Sequence, residues 1–206
     1  MNGYQFRCLL SNITCTSPVT SASAVQTVRQ LPTVGLVAAP FLSLLPGKST
    51  ALTATPSLQT TGTLTTSWFK NGTALVNAGN TYLADVEKTG SYQVKIQEVF
   101  STGFICSNQS PIVIIDATVS DKLFIFPSPN DGQFTVSYYN NGGSSTSRTV
   151  TVYDSRGSKI YNKGFAVAGP YTLLTINIKP AQRGIYYVLV GDANGKKLAG
   201  GKVLVH

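Results

Sequence analysis

Histidine is almost missing from this 206-residue chain, and the one copy, His206, is its last residue. That removes the Ser-His, Cys-His and His-metal arrangements on which many hydrolytic sites depend. Eight acidic residues are scattered without an evident converging pair, so a two-carboxylate mechanism has no candidate; Asp85 and Glu87 read as a solvated strand face. Three cysteines, Cys8, Cys15 and Cys106, are too few for a disulfide framework, and the odd number leaves at least one thiol unpaired within the chain. Cys106 has no thiol or histidine near it in sequence, so a zinc site lacks ligands. Asp192-Ala193-Asn194-Gly195 supplies part of a calcium loop, but a β-turn explains it with fewer assumptions. No catalytic, metal or cofactor residue is expected. The longest uncharged apolar segment, residues 31–45, is interrupted by Pro32 and Pro40 and falls short of the ~20 residues of a membrane helix. No transmembrane segment is predicted.

Thr, Ser, Gly, Val and Tyr are plentiful, and no long helical pattern is visible. This points to all-β modules of the ~100-residue sandwich type. Charge is uneven. Residues 1–119 carry six basic side chains against four acidic ones, whereas residues 120–206 carry ten against Asp121, Asp131, Asp154 and Asp192. The basic character belongs to the C-terminal part, whose partner is expected to be anionic. Its lysines are dispersed over strands and turns without a nucleic-acid fold signature, so no nucleic acid is expected.

Residues 1–29 read as the last strands of an immunoglobulin-like module, with Tyr4, Phe6, Cys8 and Leu10 on one face of a period-two strand. Cys8 could bridge to Cys15 or to a cysteine outside this sequence; spacing alone does not decide. Residues 30–116 read as a complete immunoglobulin-like β-sandwich. Trp68 lies on an early strand, Asn71-Gly72 is a type I′ hairpin turn, and Gly90-Ser91-Tyr92 can place a tyrosine that bonds back across a corner. No cysteine pair stands where antibody domains join their sheets, so Val94, Ala51, Leu52 and Ala54 must pack there instead. Gly3-Tyr4-Gln5-Phe6-Arg7 and Ser91-Tyr92-Gln93-Val94-Lys95 match each other, which argues for a tandem array. Residues 117–206 show seven strands at sandwich spacing, separated by turns at Asn130-Asp131-Gly132, Arg156-Gly157 and Ala193-Asn194-Gly195. Lys159, Tyr161 and Lys163 are expected to share one strand face, as a rim for an anionic partner or as edge protection.

Three blocks stand out in this last domain. The first is Phe126-Pro127-Ser128-Pro129-Asn130-Asp131-Gly132; the second runs from Val152 through Tyr153, Asp154 and Arg156 to Gly157; the third is Gly184-Ile185-Tyr186. A closing Lys202-Val203-Leu204-Val205 follows them. In this order at the end of a chain, they resemble the type A C-terminal sorting domain of type IX secretion in Bacteroidota. One departure is Ser128, where the family commonly has Asn; a similar local turn bond is expected of it.

The resemblance implies a folded export signal, marked by Pro127, Pro129, Asn130, Gly132, Val152, Tyr153, Asp154, Gly157, Gly184, Tyr186 and Lys202. Its implied partners are the outer-membrane translocation and sortase components. The sortase would cut just before the domain, within Asp116, Ala117, Thr118, Val119, Ser120 and Asp121, and the cargo would be released or joined to anionic lipopolysaccharide. The implied location is extracellular or the outer-membrane exterior of a diderm bacterium. Because Met1 leads straight into strand-like sequence without a charged start and an apolar run, the chain reads as the tail of a longer exported protein. The immunoglobulin-like modules would serve as spacers. The alternative is a surface adhesin or glycan-binding protein in which the module at 30–116 contacts a ligand through an exposed Trp68.

Overall fold

The computed structural model describes residues 2–58, 61–76, 79–141 and 145–206, with the side chains of Cys15 and Thr16 also outside the described set. Four short strands come first: β1 (Gln5–Phe6), β2 (Leu9–Asn12), β3 (Cys15–Thr20) and β4 (Ala24–Val25). They pair only as β1 with β4 and β2 with β3. The expected apolar face of Tyr4, Phe6 and Leu10 is solvent-facing, with no second layer over it among the described residues. The ladder also separates the two cysteines. Leu9 opposes Thr20, and Cys8 O accepts from Ser21 N, while Cys15 opposes Asn12. Four residues of strand, about 13 Å at ~3.3 Å per residue, therefore divide Cys8 from the level of Cys15. A bridge needs Cα atoms within about 7 Å, and Cys8 is an exposed free thiol.

The middle sandwich comprises β5 (Thr33–Ala39), β6 (Ser43–Leu44), β7 (Ser49–Ser57), β8 (Thr63–Lys70), β9 (Thr73–Leu75), β10 (Thr81–Asp85), β11 (Gly90–Val99), β12 (Ile105–Gln109) and β13 (Val113–Ala117). One sheet runs β10-β7-β5. The other runs β6-β13-β11-β8-β9, with β12 also on β11. Alternation in β11 turns Tyr92, Val94 and Ile96 inward, where they meet Trp68 and Ile115 from their own sheet and Leu36, Leu52, Ala54 and Ala84 from the facing one. Val94, Leu52 and Ala54 thus fill the place of an inter-sheet disulfide, each larger side chain contributing ~1.5–3 kcal/mol by burial. The hairpin turn is type I′, with φ of 50° at Asn71 and 77° at Gly72. The tyrosine corner is present: Tyr92 OH donates to Lys88 O, and burial pushes the hydroxyl's pKa upward, keeping it a donor.

Among the described residues the last sandwich has seven strands, as its turn spacing predicts: β14 (Phe124–Phe126), β15 (Gln133–Ser137), β16 (Thr146–Tyr153), β17 (Lys159–Val167), β18 (Leu174–Asn177), β19 (Gly184–Gly191) and β20 (Lys197–Val205). The sheet β14-β15-β18 faces the sheet β17-β16-β19-β20. Phe134, Val136, Leu174 and Ile176 from the first pack on Val150, Val152, Val188, Val190, Val203 and Val205 from the second. This core is separate from that of the middle module and belongs wholly to the last domain.

Candidate functional site

The three sequence blocks are far apart in the chain, and the fold carries them to one end of the last sandwich. In the first block, Asn130 is 4% exposed, its Nδ2 donating to Pro127 O and its Oδ1 accepting from Gly132 N. With its side chain closing this turn, its backbone is free to grip the chain's last strand. Asn130 N donates to Leu204 O, His206 N donates to Asn130 O, and Asn130 bridges Val205 in parallel. Ser128 Oγ accepts from Leu204 N at 3.2 Å. The Ser128 hydroxyl therefore holds the C-terminal strand and does not make the local turn bond expected from sequence. His206 is tied through its backbone to Asn130.

The second and third blocks are also built as supports. Asp154 Oδ1 accepts from Arg156 N and Ser158 N, and Gly157 takes φ of 85° to close the loop. The amide of Ser158, the larger influence, together with that of Arg156, holds the Asp154 carboxyl below its ordinary value. This stabilisation is present above the unfolded-state value of ~3.9 and is lost as pH falls through the lower folded one. A carboxyl titration by NMR is expected to show Asp154 titrating below an ordinary aspartate; a midpoint at the ordinary value would remove the turn's claim on it. Asp192 repeats this geometry with Asn194 N and Lys196 N, so its oxygen serves a turn. In the third block, Tyr186 OH donates to Gln182 O at 2.7 Å, four residues back, as Tyr92 does to Lys88 in the middle module. Gly-x-Tyr is thus the same corner used twice, a signal already visible at residues 90–92 and 184–186.

The blocks meet through the segment between β18 and β19. Ile178 N donates to Gly132 O, and Lys179 pairs with Asp131. Ile178, Pro180, Ala181, Gln182 and Arg183 then line one wall of a cavity of about 410 Å³, with Asp154, Ser155 and Arg156 on the other. Arg183 and the segment around it carried no sequence signal. On the outer face of the four-stranded sheet, Tyr153 opposes Tyr187, and Tyr187 opposes Lys202. A bulge between Val152 and Tyr153 sets Tyr153 against Lys159 but Val152 against Tyr161. Lys159 therefore joins the outer row, while Tyr161 packs on the core and Lys163 lies opposite Val150. The expected common face of Lys159, Tyr161 and Lys163 does not form; the bulge turns the strand over between them. Lys163, exposed on edge strand β17, is a charge of the kind that deters strand addition.

The stretch in which the sequence reading expects cleavage is largely occupied. Asp116 and Ala117 pair in parallel with Ser43 and Leu44. Thr118 N donates to Leu44 O, its hydroxyl lies 2.7 Å from that of Ser43, and its carbonyl accepts from Tyr171 OH. Val119, Ser120 and Asp121 lie between β13 and β14, where Ser120 Oγ accepts from Lys122 N at 3.2 Å. Tyr171, 1% exposed, comes from the last domain yet joins the core cluster of the middle one, edge-on to Phe124 and Tyr139. Beside it, Glu87 Oε1 accepts from Leu173 N at 3.0 Å. Glu87 is thus a tie between modules instead of part of a solvated face, and Asp85 caps the 3₁₀ turn Val86–Lys88 and pairs with Lys88. Trp68 is 1% exposed with Nε1 donating to Gly79 O, which removes it as a contact residue for a glycan. No cluster of three or more His, Cys, Asp or Glu side chains suited to a metal occurs among the described residues. Among the same residues, no helix is long and apolar enough to cross a membrane.

Residues 124–205 match the family described as the secretion system C-terminal sorting domain. No curated protein matches the chain. Among solved structures, it is similar to three N-terminal domains of the highly immunogenic outer capsid protein of bacteriophage RB49, at 20% identity and a TM-score of 0.35, covering 84% of this chain and 58% of that one. The chain therefore spans less than two thirds of the length of that three-domain structure. It is also similar to dimeric latent PorU from Porphyromonas gingivalis (13% identity, TM-score 0.35, covering 85% of this chain and 20% of that one). A third is the fibronectin(III)-like modules of Clostridium thermocellum CbhA (16%, 0.30, 84% and 93%). At such scores these likenesses carry no argument about function. Residues 124–205 thus match the secretion system C-terminal sorting domain, a type IX export signal, and a β-sandwich precedes them in the chain.

Proposed function

We propose that the end of the sandwich where the three blocks meet is the surface read by the outer-membrane translocation and sortase components. The observation that carries this reading is the convergence of the blocks, with the chain's last strand clamped among them. A folded, hydrogen-bonded surface presents fixed groups and loses little conformational freedom on binding. The middle sandwich acts as a spacer between this signal and the cargo. Cleavage falls within Val119, Ser120 and Asp121, because Asp116, Ala117 and Thr118 are held in the middle module's sheet. We place the domain break there, a few residues beyond the sequence estimate. Transfer of the cut end to anionic lipopolysaccharide, or its release, completes the process.

Fusing residues 117–206 to a periplasmic reporter in a type IX-competent host tests the proposal. The reporter is expected outside the cell and trimmed near residue 120; retention in the periplasm refutes the export reading, and export without trimming refutes the cleavage. With Trp68 buried, the adhesin alternative lacks the residue on which it rested.

A further inference from the structure

The cavity between the second and third blocks has the composition of a ligand site, and neither block's structural duty explains it. Its walls are the turn Asp154–Arg156 and the loop from Pro180 to Tyr186, with Ile160, Ile178 and Ile185 completing them. Two guanidinium groups line it, those of Arg156 and Arg183. The ion pairs among the described residues, Asp85 with Lys88 and Asp131 with Lys179, involve neither arginine. The carboxylate inside the cavity, Asp154, has Oδ1 committed to two amides of its own turn. Both arginines are exposed, and so are Ile160 at 42% and Ile185 at 48%. The loop that presents Arg183 is fixed at both ends, by Ile178 N to Gly132 O and by Tyr186 OH to Gln182 O.

We propose that this cavity receives an acidic segment of a protein partner, a carboxylate engaging Arg156 and Arg183 while a neighbouring apolar side chain covers Ile160 and Ile185. Three features select this ligand class. The guanidinium fork matches a carboxylate in plane and can grip it through two parallel bonds. Two arginines and Asp154 leave the site with one net positive charge, which balances a single carboxylate; a dianionic phosphate would face Asp154 uncompensated. Exposed isoleucine beside exposed arginine is also the composition of a protein contact, where Arg and apolar anchors concentrate binding energy, and not that of a phosphate cradle. The site deepens the proposed recognition surface and rests on that reading.

Two measurements test it. In the first, the isotope-labelled 206-residue chain is titrated with a hexapeptide of alternating Glu and Leu, with its Gln-Leu counterpart and with inorganic phosphate. The Glu-Leu peptide is expected to move the amides of Ser155, Arg156, Arg183 and Ile185, with affinity at least tenfold above that of the other two probes. No movement with any probe, or equal affinity for phosphate, overturns the proposal. In the second, the reporter fusion carries Arg156→Gln with Arg183→Gln, Arg156→Lys with Arg183→Lys, or Lys196→Gln. Export is expected to fall at least tenfold with both glutamines and to recover only in part with lysine, which keeps charge but not the fork. Lys196→Gln, outside the cavity, is expected to export normally. Because both arginines are exposed, thermal unfolding of the double variant is expected to match the parent. If the parent fusion exports and the glutamine variant does so equally, the cavity assignment fails alone. If the parent itself is retained, the recognition reading fails first.

Discussion

Replacing Tyr171 with alanine is expected to destabilise the chain by about 3–5 kcal/mol, the range for deleting a large buried aromatic side chain. Tyr171 belongs to the last domain but is buried with the core of the middle one, against Phe124 and Tyr139. Its loss empties a space that neither domain can close, and it frees Thr118 O from its donor. Urea unfolding of the 206-residue chain measures the first effect. Limited proteolysis measures the second, with cutting expected to extend from residues 119–121 back toward Thr118. Tyr171→Phe separates ring from hydroxyl: it retains the packing and loses one hydrogen bond, about 0.5–1.5 kcal/mol. An alanine variant within about 1 kcal/mol of the parent, with unchanged proteolysis, would show that the two modules do not dock through this ring.

The second large effect is expected at Asn130. Asn130→Ala leaves Gly132 N without the acceptor it has at 2.8 Å and Pro127 O without its donor at 3.0 Å, in a place that is 4% exposed. Each buried polar group left unsatisfied costs about 1–3 kcal/mol, so a total of about 2–6 kcal/mol is expected for the two. The loss is directed. With the turn opened, the backbone of Asn130 no longer stands where Leu204 and His206 need it. Hydrogen exchange at residues 204–206 is expected to accelerate more than at the core strands β16 and β19. Asn130→Asp keeps the acceptor for Gly132 and should fall between alanine and the parent. Uniform acceleration across the domain, or none, would contradict the clamp. Export of the reporter fusion is expected to fall with the exchange protection, since the blocks are read as a folded surface.

Much of this was legible without coordinates because the signals are local. Alternation at Phe134, Val136, Leu174 and Ile176 marked the inward face. Glycine after Asn71, Asp131 and Arg156 marked turns, because φ above zero is open to it at little cost. Trp68 and the corner at Tyr92 came from the same kind of reading. Errors arose where one residue's neighbours in space were not its neighbours in sequence. Ser128 looks like a turn residue, but the backbone it bonds is 76 residues away. Glu87 looks solvated, but its acceptor oxygen is taken 86 residues away. The split of Lys159 from Tyr161 turns on a single-residue bulge that no composition reveals. The separation of Cys8 from Cys15 is a matter of ladder register.

By itself the chain's order of residues determined strands, turns and the family of the final domain, because periodicity, glycine at positive φ and the three blocks are properties of short stretches. Tertiary structure alone decided that those blocks share one end, that Arg156 and Arg183 line one cavity, and that Tyr171 seats one module in the other. The reason is that each of these depends on which strands lie side by side, and sheet order is chosen by burial over the whole domain.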